Sequence, residues 1–209
     1  VYKRQDLGIK DIGFGITVSD RNAADMIELW RLAKAMGLEF ATATTHNSYY
    51  FHKSDNSFED PQRVAKEFEA VAWELLKTNR PKNWFRAYFN MGLANKVRGG
   101  KRPLPCEVGT DVFFLDPYGN VMPCNGSDEP MVMGNLHEQE FDEIWSSPLA
   151  NEVRAKVKVC SKECWMIGSA APAMKKKPWV PALWVLRAKL VQRKLRELKG
   201  DRVCLPPLD

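Results

Sequence analysis

The pattern of apolar and polar positions divides the chain into segments of different character. Residues 11–19 (DIGFGITVS) are a short apolar run that predicts a strand, and residues 39–45 (EFATATT) predict a second. Between them Asp25, Glu28, Arg31 and Lys34 recur every three residues as one polar stripe among Met26, Ile27, Leu29, Trp30, Leu32 and Ala33. That spacing predicts a helix over 23–36, capped by Asp20 or Asn22 and stopped by Gly37. Strand, helix, glycine and strand in this order form a βαβ unit with parallel strands. In α/β folds, ligands lie at the carboxyl ends of such strands, here Thr17–Ser19 and Thr44–Asn47. Asp60-Pro61 then marks the start of a helix reaching about Thr78. After the break at 80–83, a helix over 84–97 carries Trp84, Phe85, Tyr88 and Phe89 at core-like spacing. Two strands cannot close a barrel, so this α/β region reads as part of a larger one.

Beyond residue 101 the pattern shortens. Thr110–Leu115 and Val121–Pro123 flank the turn signal Asp116-Pro117-Tyr118-Gly119-Asn120 and predict a β-hairpin, with Asp116 as a turn former. Short helices are expected over 141–145 and 149–157, and an apolar-then-basic helix over 178–199. The divisions fall at 1–100, 101–174 and 175–209.

The composition of the 209 residues (44% hydrophobic, 27% charged, seven Trp and ten Phe) is that of a folded chain rather than a disordered one. No apolar run approaches the roughly 20 residues of a membrane span. Five cysteines are too few for a disulfide scaffold of this length. Val1–Lys10 has no apolar core of a signal peptide. The opening Val-Tyr-Lys-Arg-Gln, without Met, reads as a cut end. A reducing, cytoplasmic setting is expected. The net charge of +5 is unevenly placed: residues 175–209 hold ten Lys or Arg against three acids, a balance of +7 that leaves −2 for the first 174. A near-neutral body argues against nucleic-acid binding.

Cys106 and Cys124 flank the hairpin, and Cys160 and Cys164 form a C-x3-C pair downstream. A hairpin can fold its flanking thiols together, and the later pair can approach from a loop. Thiolates are ligands for iron–sulfur clusters or zinc. Structural zinc usually uses two tight knuckles, which the seventeen residues between Cys106 and Cys124 do not form. Clusters accept scattered cysteines. Four unrelated buried thiols are the remaining reading. Cys204 has no partner pattern and reads as spare.

The residues around these cysteines narrow the choice. Cys106 with Gly119-x4-Cys124, Met133-Gly134-Asn135-Leu136 before Phe141-Asp142-Glu143-Ile144-Trp145-Ser146, and Cys160-x3-Cys164-Trp165-Met166 together resemble the SPASM/twitch domain appended to radical S-adenosylmethionine (SAM) enzymes. The resemblance implies that Cys106, Cys124, Cys160 and Cys164 bind one auxiliary [4Fe–4S] cluster. With four suitable cysteines where a full SPASM domain has seven, the shorter twitch form is implied. It also implies that the α/β region is the late part of a partial TIM-like barrel, and that the fold is this incomplete α/β unit, a small α+β cluster domain and a C-terminal amphipathic helix. Ser19, Asn22 and Thr44 are then expected to contact SAM, and His46 and Asn47 the substrate.

The family's C-x3-C-x2-C loop for a second, catalytic [4Fe–4S] cluster is absent from this sequence. The chain is therefore expected to be inactive alone and to need the N-terminal half of the same enzyme, with an electron donor such as flavodoxin or ferredoxin. The substrate class (peptide, metabolite or sugar) stays open. The rival expectation is a non-catalytic four-cysteine zinc or cluster module that recognises a partner. The 178–199 helix, with Trp179, Leu183, Trp184, Leu186, Leu190 and Leu195 beside its basic residues, suggests an anionic membrane surface, a protein partner, or packing on its own domain.

Overall fold

The computed structural model describes residues 7–9, 12–197 and 205–208. Val1–Gln5, Asp11 and Cys204 lie outside the described residues. The described chain is mixed α/β, with seven α-helices and two small sheets, and divides into two compact units.

The first unit comprises the chain through Thr45, residues 58–100, and the chain from Trp179 onward. Strand β1 (Gly13–Val18) leads through a 3-10 turn (Ala23–Asp25) into helix α1 (Met26–Ala35) and strand β2 (Glu39–Thr44). The strands pair in parallel, from Gly13 against Glu39 to Val18 against Thr44. Helix α1 buries Met26, Trp30 and Ala33 and leaves its polar stripe in water. Gly37, at φ +68°, turns the chain back toward β2. Helix α2 (Pro61–Leu76) starts where Asp60 accepts the backbone N–H of Arg63 at 2.9 Å. Helix α3 (Pro81–Val97) packs against α2, and the two supply most of this unit's core, including Phe68, Leu75, Tyr88 and Leu93.

Alternation along the strands decides what each face of this sheet does. Phe40, Thr42 and Thr44 of β2 are buried beneath the helices. The Thr42 hydroxyl donates to Asn90 Oδ1 of α3 at 2.8 Å. Gly13, Gly15, Thr17, Ala41 and Ala43 occupy the other face, which is open and built from small side chains. Further strands completing a barrel are not among the described residues.

The second unit comprises residues 46–57 and 101–178. Strands β3 (Phe114–Leu115), β4 (Asn120–Met122) and β5 (Gly134–Asn135) form an antiparallel sheet in that order. The hairpin turn is held by Asp116, whose carboxylate accepts the backbone N–H groups of Tyr118 and Asn120 and the Asn120 side chain. Gly119 sits at φ +82°, and a Cβ there would meet His137 Cδ2 at 2.7 Å. Helices α4 (Phe141–Ser146) and α5 (Pro148–Lys158) close over the sheet, burying Val121, Met133, Ile144, Ala150 and Val153 together. Gly134 is glycine because the Ile144 side chain lies 2.7 Å from where its Cβ would be.

Helix α6 (Ile167–Lys176) is an element that apolar periodicity does not reveal. Gly168 and Pro172 weaken its local propensity. Burial of Ser169, Ala170, Ala173 and Met174 holds it instead, and Lys176 ties its end to Glu107 at 2.6 Å and Asp111 at 2.9 Å.

Segment 46–57 groups with this second unit although it follows β2 directly. Tyr49 N–H donates to Ser127 O at 2.9 Å, and the buried Ser48 hydroxyl donates to Asn125 O. Tyr50 packs edge-on against Phe114, with ring centroids 4.7 Å apart. Helix α7 (Trp179–Glu197) returns to the first unit. There Gln192 Nε2 donates to Trp73 O at 2.9 Å, Lys189 Nζ donates to Leu76 O at 3.1 Å, and Trp184 packs against Tyr88.

Candidate metal centre

The four cysteines of the second unit line one small cavity of about 50 Å³. Cys106 enters before the sheet, Cys124 two residues after β4, and Cys160 and Cys164 from the loop between α5 and α6. Val108, Met131, Val157 and Met166 form its apolar walls, and Arg102 and Lys162 its cationic edge. All four cysteines are free thiols, with Cys160 the most exposed. Among the described residues no three His, Cys, Asp or Glu side chains converge on a point where one metal ion would sit. Four sulfur donors around a mostly apolar cavity form a soft donor set that suits an iron–sulfur cluster or a zinc ion.

Electrostatics at Cys124 follow from its position. Burial pushes its thiol up, and the neighbouring Cys106 and Cys160 act in the same direction. Backbone hydrogen bonds from Gly126 and Ser127 work the other way. Those N–H groups belong to the loop that Ser48 and Tyr49 fasten.

Arg102 organises the opposite wall. Its backbone N–H donates to Glu163 Oε2 at 2.8 Å. Its guanidinium donates to the carbonyls of Cys164 (2.7 Å), Pro105 (3.0 Å), Ser169 (3.3 Å) and Leu104, and lies 5.6 Å from the centroid of the fully buried Trp165 ring. One side chain thus joins the segments leading into Cys106 and out of Cys164. Glu163, between the paired cysteines, holds φ +48°, which a non-glycine residue adopts only where its surroundings enforce it. Lys162 donates to Asp128 at 2.6 Å and to Asn47 O at 3.3 Å. Sequence reasoning missed Arg102, Lys162, Glu163 and Ser48, because their partners are distant in the chain and no short motif contains them.

The other expected site residues fall in the turn after β1 and around the end of β2. Ser19 N–H donates to Asn22 Oδ1 at 2.9 Å, and Asn22 Nδ2 donates to Thr17 O at 3.0 Å. Asn22 therefore closes the turn after β1 rather than capping helix α1. Thr44 is buried on the helix-covered face, where Lys96 Nζ donates to its hydroxyl at 3.2 Å. Asn47 clasps its own loop: its Oδ1 accepts Asn56 N–H at 2.9 Å and its Nδ2 donates to Asn56 O at 3.3 Å. His46 packs edge-on against Phe51, and its carbonyl accepts from Asn56 Nδ2 at 2.9 Å.

A larger cavity of about 310 Å³ opens in the first unit near Trp30, Lys34, Arg80 and Arg86. It lies beside Glu39 at the amino end of β2, away from the strand ends that carry ligands in α/β folds. Burial raises the Glu39 carboxyl, but the hydrogen bonds and charges of Lys82 and Arg86 outweigh it and hold the group below the usual glutamate range.

Residues 106–165 match the family model of SPASM, an iron–sulfur cluster-binding domain. No curated protein and no solved structure matches the chain. The matched span contains all four cysteines of the cavity, from the first at its amino end to Cys164 beside its last residue.

Proposed function

We propose that the chain is the C-terminal portion of a radical SAM enzyme, and that Cys106, Cys124, Cys160 and Cys164 hold one auxiliary [4Fe–4S] cluster. The observation that carries this reading is the gathering of four thiols around one cavity within a span that matches an iron–sulfur domain. SPASM domains occur in radical SAM enzymes. The βαβ unit supports the same parent, since a parallel pair with helices on one face and small residues on the other suits the wall of a barrel.

When bound, the cluster supplies a one-electron redox centre, whose potential is set by hydrogen bonds to its sulfurs and by solvent exposure. The protein's own part is structural. The Gly126 and Ser127 N–H groups stabilise negative charge on Cys124 sulfur, Arg102 fixes Cys164, and the apolar walls restrict water. In the first unit, SAM contact falls to Ser19 and Asn22 and to Thr17, which lies on the open face. Thr44, expected to share that contact, lies on the covered face with its hydroxyl engaged by Lys96 and is left out of it. His46 and Asn47 shape the loop after β2, which is where a substrate contact would arise. The substrate class is not selected by anything in these residues.

Without a C-x3-C-x2-C loop the chain holds no catalytic cluster, so it does not cleave SAM alone. The test is 5′-deoxyadenosine formation from SAM with a chemical reductant and reconstituted iron and sulfide. The 209-residue chain is expected to form none, and a full-length parent to form it. Turnover by the chain alone would overturn the assignment of its role.

A further inference from the structure

Helix α7 has a second apolar face that packing leaves open. Its inward face is Pro181, Trp184, Val185, Ala188 and Gln192, all buried against the first unit. Trp179, Leu183, Leu186 and Leu190 follow at steps of four, three and four residues, which places them in one stripe on the opposite side. Each is between 55% and 61% exposed. The apolar side expected from sequence is therefore two faces: Trp184 anchors the helix, while the other four point outward.

Charge decides what this stripe fits. Arg187 and Lys194 lie along one edge and Arg193 along the other, all exposed. Before its last residue, Glu197, the helix contains no Asp or Glu. An apolar stripe with a Trp at one end and an all-cationic border matches a bilayer surface, with acyl chains beneath the stripe and anionic headgroups beside it. We infer that α7 docks the protein on an anionic lipid surface while remaining folded on its own unit. The helix lies along the interface and does not span it; among the described residues no helix is long and apolar enough to cross a membrane.

The experiment is co-sedimentation of the full chain with phosphatidylcholine vesicles, with and without about one-third phosphatidylserine, at low and high salt. Retention is expected only on the anionic vesicles and only at low salt. Lys194→Glu should weaken it at least fivefold, following the electrostatic contribution of one basic residue near such a surface. Leu186→Glu with Leu190→Glu should reduce it at least tenfold. These side chains face water, so unchanged thermal unfolding of each variant verifies that the fold is kept. Equal retention on neutral vesicles, or none on anionic vesicles at low salt, overturns the inference. So does self-association abolished by Leu186→Glu in a chain that ignores vesicles, which would assign the stripe to a second copy. None of these outcomes depends on the cysteine cavity.

Discussion

Replacing Arg102 by Ala removes five interactions at once, four of them to backbone carbonyls. Leu104 is buried, so its carbonyl loses a charged donor with little access to water, whereas the buried Ser169 carbonyl, in the first turn of α6, keeps an intrahelical partner. A buried acceptor left unpaired costs about 1–3 kcal/mol, which applies to Leu104 O. The carbonyl of Pro105, in an exposed residue, regains water and adds less. The lost contact with Trp165 adds about 0.5–1 kcal/mol. A loss near 2.5 kcal/mol, about 1–3 for Leu104 O and 0.5–1 for Trp165, is still a sizeable fraction of the roughly 5–15 kcal/mol typical of a whole protein. Urea unfolding of the metal-free chain measures it, and release of iron to a chelator from the reconstituted chain reports whether Cys164 has been loosened. Arg102→Lys retains the charge but not the fork of donors, so it should recover less than half of the stability. A stability change for Arg102→Ala within about 0.5 kcal/mol, the range of an ordinary surface substitution, would refute the reasoning.

Three further outcomes follow from the geometry. Gly119→Ala should destabilise the second unit by about 1–3 kcal/mol, since it adds strain at positive φ to a 2.7 Å clash with His137, and calorimetry checks this. Burial pushes the Tyr88 hydroxyl up to about 12, so the stability it contributes is complete below its unfolded value near 10 and is lost as pH rises through 12; Tyr88→Phe should flatten unfolding profiles in that window. Glu39 is held low, so its contribution is complete above its unfolded value and is lost as pH falls through the folded one; Glu39→Gln should remove that part of the acid dependence in a pH series of melts.

The elements legible in the sequence were those whose periodicity matched their burial. The polar stripe of 25, 28, 31 and 34 marks the exposed side of α1, and Asp116–Asn120 marks the hairpin turn. Helix α6 was not legible, because Gly168 and Pro172 argue against a helix that tertiary burial nevertheless enforces. Strand β5 is two residues long and has no alternation to detect. The attachment of 46–57 to the second unit rests on Ser48 and Tyr49 bonding to residues about eighty positions away, beyond the reach of a local pattern. The cysteines were recognisable through their neighbours, and the structure supplies a physical reason for several of these. Gly134 admits Ile144, Trp165 fills the core under Arg102, and Trp145 stacks on Phe141 beneath Arg154. The faces of β2 and α7 needed coordinates, since alternation alone does not say which side the helices cover.

The proposed cubane cluster requires all four thiols together. The direct measurement is iron, sulfide and zinc content after anaerobic reconstitution, for the chain and for each single Cys→Ser variant. About four irons and four sulfides per chain are expected, falling in every one of the variants at 106, 124, 160 and 164. One zinc without sulfide, or iron content indifferent to those four substitutions, would contradict it.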